Sequence, residues 1–271
     1  MSAIAIPASR TTILSTLFER QPVLAAYGLT LVVLSATTLS MQWIDTRTIE
    51  GVGIWVKPTK FLFSIGVFAL TAAWYVGFVR PERRNSRAIR YVVWATILAG
   101  TFELAYIAFQ ASRGLGSHFN TSTPQAAIMY ALMGIGAVVL VSTVLPLAWQ
   151  ILRHPAERLS ADFRFALVAG LVLTFVLGGG LGGYMSSNAG HSIGPESGHF
   201  PIFGWNRLGG DLRVAHFFGM HFEQALPLLA WLGSPLAPSR RWAIILGGAV
   251  LGIAVILGVF VQAIAGRPFP F

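Results

Sequence analysis

The chain has 271 residues, 55% of them apolar and 11% charged, with a mean hydropathy of +0.67 and a formal charge of +9. A soluble domain carries about 25% charged residues, so an ordinary soluble fold is excluded, and the basic residues lie in short runs between apolar segments, a pattern of membrane topology and not of nucleic-acid binding. With no cysteine, disulfides, iron–sulfur clusters and thiolate ligands are excluded.

The first 20 residues lack an apolar core followed by a cleavage site, so no removable signal peptide is expected. Seven apolar segments follow, near 23–41, 61–79, 91–111, 126–152, 165–185, 214–232 and 242–266. Each approaches or exceeds the ~20 helical residues that span a bilayer core. Continuous apolar runs in lipid must be helices, because only helices and closed barrels satisfy their own backbones. The sequence therefore predicts an all-α, polytopic membrane bundle of seven transmembrane helices in one domain, 1–271. Only the third and sixth segments contain ionisable charge, Glu103 and Glu223.

Alternate connections differ in charge. One side holds Arg10, Arg20, Arg80, Arg83, Arg84, Arg87, Arg90, Arg153, Arg158, Arg164, Arg240 and Arg241, against Glu19, Glu82, Glu157 and Asp162. The other holds Arg47, Lys57, Lys60, Arg113, Arg207, Arg213 and Arg267, against Asp45, Glu50, Glu103, Glu196, Asp211 and Glu223. The first side is read as cytoplasmic, which places the N-terminus inside and the C-terminus in the periplasm of a bacterial inner membrane. His118, His191, His199, His216 and His221 then lie outside and His154 inside.

The second helix opens at residues 55–61 with Lys57 and Lys60, the two lysines of the chain. Pro58 suits a first helical turn, and two ammonium groups at a helix N-terminus make an anion site. Snorkelling to headgroups is the competing account. In the third helix Glu103, Tyr106, Gln110 and Arg113 share one face, leading toward His118. A carboxylate this deep is protonated or paired, with Arg213, Lys60 or a histidinium as expected partners; an interhelical ion pair is the structural alternative. The fifth helix ends in a glycine run in which Gly178/Gly182 and Gly179/Gly183 make GxxxG spacings, read as close helix packing before a flat cofactor. Gly247, Gly248 and Gly252 read the same way. The loop 186–211, with two histidines, a tryptophan and an arginine, is expected to be an ordered lid.

The densest run, residues 209–224, carries Asp211, Arg213, His216, His221, Glu223 and Gln224 as the sixth helix begins. Ionisable groups there are functional candidates. On a regular helix His216, Met220 and Glu223 share a face, while His221 lies about 140° away from His216. Pro227 should kink the helix beside Glu223. The bland account is a pair of interfacial histidines bonded to headgroups or loops.

Several chemistries close off. The seventh segment has no lysine to hold retinal, and it lacks the paired histidines of seven-helix zinc hydrolases. Histidine clusters of the desaturase kind and Walker, Rossmann and nucleophile-elbow patterns are absent. Residues 55–61, 113–120 and 209–224 together resemble a group of bacterial multi-pass integral membrane proteins. The resemblance covers most of 55–231 and implies no activity.

Three readings follow for the outward-facing pocket. In the first, the chain is a membrane-bound oxidoreductase with haem b. His118 and either His216 or His221 would be axial ligands, Lys57, Lys60, Arg113 and Arg213 would hold the propionates, and Glu103, Tyr106 and Gln110 would form the polar surroundings of the ligands or a quinone pocket. In the second, His118, His191, His199, His216 and His221 supply ligands for a mononuclear zinc, iron or copper ion, and Glu223 is the general base acting on a lipid or small molecule. In the third, Lys57, Lys60 and Arg213 attract a small transported anion. The expected partners are the lipid bilayer, a quinone or periplasmic redox protein, and further copies of the chain, with no nucleic acid.

Overall fold

A computed structural model of the protein describes residues 12–49, 51–200 and 203–269; Arg10 and Glu50 lie outside them. The fold is mostly helical, and six helices are long and apolar enough to cross a membrane, as expected of a multi-pass membrane protein. The chain divides into two compact units, residues 7–147 and residues 148–271.

In residues 7–147, a short helix α1 (Ile13–Arg20) precedes α2 (Pro22–Ile44), a two-residue hairpin of β1 (Thr48–Ile49) and β2 (Val52–Gly53), α3 (Val56–Val76), α4 (Arg87–Ser112) and α5 (Pro124–Ser142). Pro22 and Pro124 open their helices at positions where a missing N–H costs nothing. Ser86 and Thr123 hydroxyls cap α4 and α5. The backbones of α2 and α3 approach so closely that a Cβ on Gly28 would meet the Gly66 carbonyl at 2.8 Å. Around that approach Leu31, Leu62, Ile65 and Leu104 form a buried cluster. Arg20 and Arg84, read from sequence as topology signals, also close the end of α3. Arg20 Nη1 donates to the Trp74 carbonyl at 2.7 Å and its guanidinium lies over the Trp74 ring, while Arg84 Nη2 donates to the Gly77 carbonyl at 2.8 Å. Cations and donors at a helix C-terminus satisfy its orphan carbonyls.

The helix α6 (Val144–Arg153) continues from α5 past Thr143 and leads into residues 148–271. There α7 (Ala161–Leu173), a π-helical turn at Thr174–Gly179 and α8 (Gly180–Ser187) make one continuous span. β3 (Ser192–Ile193) pairs antiparallel with β4 (Gly210–Asp211), and α9 (Leu212–Met220), α10 (Phe222–Leu232) and α11 (Pro238–Ile264) follow. The ion pair between Arg241 and buried Asp162, at 3.3 Å, ties the start of α11 to the start of α7.

The expected sixth span is thus two helices with a break at His221, whose φ and ψ are −92° and 8°. Neither half has the length to cross alone. The break falls two residues before Glu223, where the kink from Pro227 was expected, and Pro227 itself lies inside α10. A proline ring excludes the carbonyl four residues earlier, here that of Glu223, and with the helix starting at Phe222 only one turn precedes the ring. Glycines then let the neighbouring span close on the break. A Cβ on Gly219 would meet Gly178 N at 2.7 Å, one on Gly170 would meet the Phe222 carbonyl at 3.1 Å, and one on Gly252 would meet the Phe222 ring at 2.7 Å. Gly178 and Gly182 therefore pack against α9, whereas nothing lies within 4 Å of the Cβ positions of Gly180, Gly183 or Gly247.

Gly219→Ala should destabilise by about 1–3 kcal/mol through overpacking against backbone that cannot yield. Gly180→Ala should be neutral or slightly stabilising, since alanine favours the helix. Thermal melting in detergent distinguishes them, and equal melting temperatures would contradict the close approach.

Candidate functional site

The break gathers a set of polar groups within residues 148–271. Interrupting the helix frees backbone donors, and a buried donor without a partner is costly. The Thr174 hydroxyl, at the start of the π-helical turn, accepts from the Glu223 amide at 2.8 Å. At the other end of the same turn, the Gly178 carbonyl accepts from His216 Nδ1–H at 2.8 Å. A π-helical turn inside a helix often marks a functional position, and this one holds both sides of the break. The Glu223 side chain is buried, and Gln224 Nε2 donates to its Oε1 at 2.8 Å. The Gln224 Oε1 faces His221 Nδ1 at 3.3 Å. His221 and His216 are close enough to interact electrostatically. His216, Met220 and Glu223 all lie toward the neighbouring span, against Gly182, Gly178 and Gly170, as their spacing on one helix face predicts.

The loop over this region is built from hydrogen bonds. Asn206 is fully buried: its side-chain amide donates to the Pro195 carbonyl at 2.9 Å, its Oδ1 accepts from the Leu208 amide at 3.0 Å, and its own amide donates to Asp211 Oδ2 at 2.8 Å. Arg213 grips Asp211 through Nε and Nη2, at 2.9 and 2.6 Å, and donates to the Gly204 carbonyl. Asp211 also caps α9 through the Arg213 amide at 2.9 Å. Burial opposes ionisation of Asp211, but the Arg213 guanidinium and the Asn206 amide outweigh it and hold the carboxyl below its ordinary value. Trp205 stacks on Phe203 and meets Phe217 edge-on, and Phe217 in turn packs on His221 at 4.4 Å. Aromatic contact thus runs from the loop to the break.

Residues 7–147 hold a second polar group. The loop after α4 turns through Gly114 at φ 70° and Phe119 at φ 58°, a conformation unfavourable for a bulky residue. The Phe119 ring packs on Tyr130, at 5.4 Å, and helps seat His118 among Phe61, Phe119 and Tyr130. Lys57 Nζ lies 3.0 Å from His118 Nδ1, with the Ser117 hydroxyl at 3.2 Å. Burial and the Lys57 ammonium push His118 down to about 3, so it is neutral near pH 7. Its Nε2 lies 3.8 Å from Glu103 Oε2, and Glu103 Oε1 is buried with no hydrogen-bond partner. On the same face Gln110 donates to the Tyr106 hydroxyl at 3.1 Å, and Arg113 reaches Gln110 at 3.4 Å. Arg113 is exposed and lies over Phe109. Lys60 sits half-buried, one turn into α3 from Lys57.

Of the partners expected for Glu103, Arg213 is committed to Asp211, and His118 approaches to 3.8 Å as a neutral ring and not as a histidinium. His191 Nδ1 faces the Ser192 hydroxyl at 3.0 Å, and His199 forms a backbone bridge with Asn206 while its Nδ1 is buried without a hydrogen-bond partner. Among the described residues no three His, Asp or Glu side chains come together as a metal-binding group. Sequence reasoning missed Thr174, the Gly178 carbonyl and Asn206. A threonine at the head of a glycine run was the available signal for the first two. Asn206 had only its place in a polar loop.

Asp211→Asn should release Arg213 and the loop, at a cost on the order of 3 kcal/mol for breaking a buried pair. A carboxyl held below its ordinary value stabilises fully above about pH 4 and loses that contribution as pH falls through the lowered value. Limited proteolysis should cut the loop 186–211 slowly at neutral pH, and faster in acid or in the variant. Equal cutting of native and variant protein would count against the arrangement. Comparisons with known protein families, curated proteins and solved structures find no match to this chain.

Proposed function

We propose that the chain crosses a bacterial inner membrane seven times, N-terminus inside and C-terminus outside, and carries a redox cofactor at the helix break, with His216 ligating the iron of haem b. α9 and α10 together would make the remaining crossing. Residues 212–232, at 1.5 Å per residue, reach about 30 Å, the thickness of a hydrocarbon core. The observation that carries the cofactor reading is the hydrogen bond from His216 Nδ1–H to the Gly178 carbonyl, 2.8 Å long. Histidine ligands commonly donate their other ring N–H to a carbonyl or carboxylate, which fixes the tautomer and leaves Nε2 as the electron-pair donor. The donor chemistry at His216 fits that role.

Bound haem would supply one-electron chemistry at its iron. The chain's own groups would orient His216 through Gly178, place His221 beside it through Gln224, and hold a proton at the Glu223 carboxyl. The electron partner would be a membrane quinone or a periplasmic protein. A second reading is favoured by the break itself: discontinuous helices with polar groups at their ends form ion and solute sites in transporters.

Protein purified from haem-supplied cells should show a Soret band and reduction-sensitive visible bands, and His216→Ala should lose both while keeping its thermal transition. A colourless native preparation overturns the haem reading. Ion uptake into proteoliposomes that is lost in Glu223→Gln would then favour transport. For topology, alkaline phosphatase fused after Phe271 should be active and fused within 233–237 inactive; six crossings would give the reverse.

A further inference from the structure

We infer that Lys57, His118 and Glu103 form a proton path that loads a buried carboxyl from the loop end of α3 and α4. The inference concerns residues 7–147 and stands apart from the haem reading at His216.

An ammonium has only donors, so the 3.0 Å contact of Lys57 Nζ makes His118 Nδ1 an acceptor. In a neutral ring the proton then sits on Nε2, the nitrogen that faces Glu103 Oε2 at 3.8 Å. The imidazole therefore accepts on one side and presents a proton on the other, in line with the carboxyl. Exposure falls along the path, from 22% for the His118 side chain to 3% for that of Glu103. The ring is flanked by Phe61, Phe119 and Tyr130, an apolar wall that leaves the imidazole as the polar route. The far oxygen, Glu103 Oε1, is buried without a hydrogen-bond partner and lies against Gly136 of α5, where a Cβ would meet it at 2.9 Å. A carboxylate with one oxygen so placed gains by taking a proton.

The charged and titratable groups around it are few. Lys57 of α3 interacts electrostatically with both His118 and Glu103. Lys60 follows one turn deeper in α3, Tyr106 and exposed Arg113 extend along α4, Ser117 sits in the loop beside His118, and Tyr130 comes from α5. Transfer needs the 3.8 Å gap to shorten by about 1 Å to hydrogen-bond length, within reach of side-chain rotation. The Nζ–H bond of Lys57 then breaks as Nδ1–H forms, and Nε2–H breaks as Oε2–H forms. Lys57 is left neutral and Glu103 uncharged. The ring then turns from Glu103, Nε2 takes a proton from solvent water, and Nδ1 returns its proton to Lys57, which restores the starting tautomer and the ammonium.

The test is infrared spectroscopy of the full chain in detergent, following the C=O stretch of a protonated carboxyl on transfer to D2O. A band absent in Glu103→Gln assigns it. Its deuterium shift should be rapid in native protein and at least tenfold slower in His118→Phe, which keeps the aromatic packing, and in Lys57→Met, which keeps the stem. Two variants guard against one that fails to fold, and retention of the band confirms that the carboxyl environment survives. Native-rate exchange in both variants overturns the inference, as does the absence of any Glu103-dependent carboxyl band between about pH 5 and about pH 9.

Discussion

A buried backbone amide without a partner is costly, so a helix that breaks inside a protein must be closed by its neighbours. In residues 148–271 that closure comes from one turn of the neighbouring span. The Thr174 hydroxyl takes the amide of Glu223 on one side of the break, and the Gly178 carbonyl takes His216 on the other. Close approach by Gly170, Gly178 and Gly219 is the condition for both, because any side chain there would hold the backbones apart. The polar groups at the break follow from this closure. Gln224 bridges Glu223 and His221, the residues one and three positions before it.

The long helices were legible because their evidence is composition summed over many residues. Six of the seven expected segments match helices to within a few residues, with ends extended where Pro22, Pro124 and Pro238 or flanking polar residues begin the first turn. The sixth was read as continuous for the same reason. Averaging over residues 214–232 counts apolar content and is blind to the local turn at His221, after which the Glu223 amide bonds Thr174 instead of the helix. The π-helical turn was hidden likewise, since the sequence Thr174–Gly179 reads as a helix of either kind. At the site, Lys57 and the Glu103–His118 stripe were visible as spacing on helix faces, and the fold brings them together. Arg213 was expected to meet Glu103 or an anion, and its pairing with Asp211, two residues away, was not foreseen. That pairing needs the extended backbone of β4 and the turn into α9.

The arginines show how one residue type carries two signals. Their distribution is the basis of the proposed orientation, and individually Arg20, Arg84 and Arg241 close helix ends or tie helices together. Charge counting sees only the first role. In lipid the two roles coincide, because helix ends lie near the interface, where carbonyls need donors and long side chains can reach water.

The π-helical turn has a consequence for how this span tolerates change in length. A hydrogen bond from i to i+5 takes up one more residue than a regular turn does. Removing any one residue from Thr174–Gly179 would let the span wind as an uninterrupted α-helix, at little cost to itself. The faces beyond would stay nearly where they are, because a π turn stacks residue i+5 where an α turn stacks i+4, so Gly182 would still face His216. The extra residue acts as a local spacer: a single-residue deletion between Thr174 and Gly178 would leave both helices seated and spoil only the spacing by which that hydroxyl and that carbonyl reach the two sides of the break.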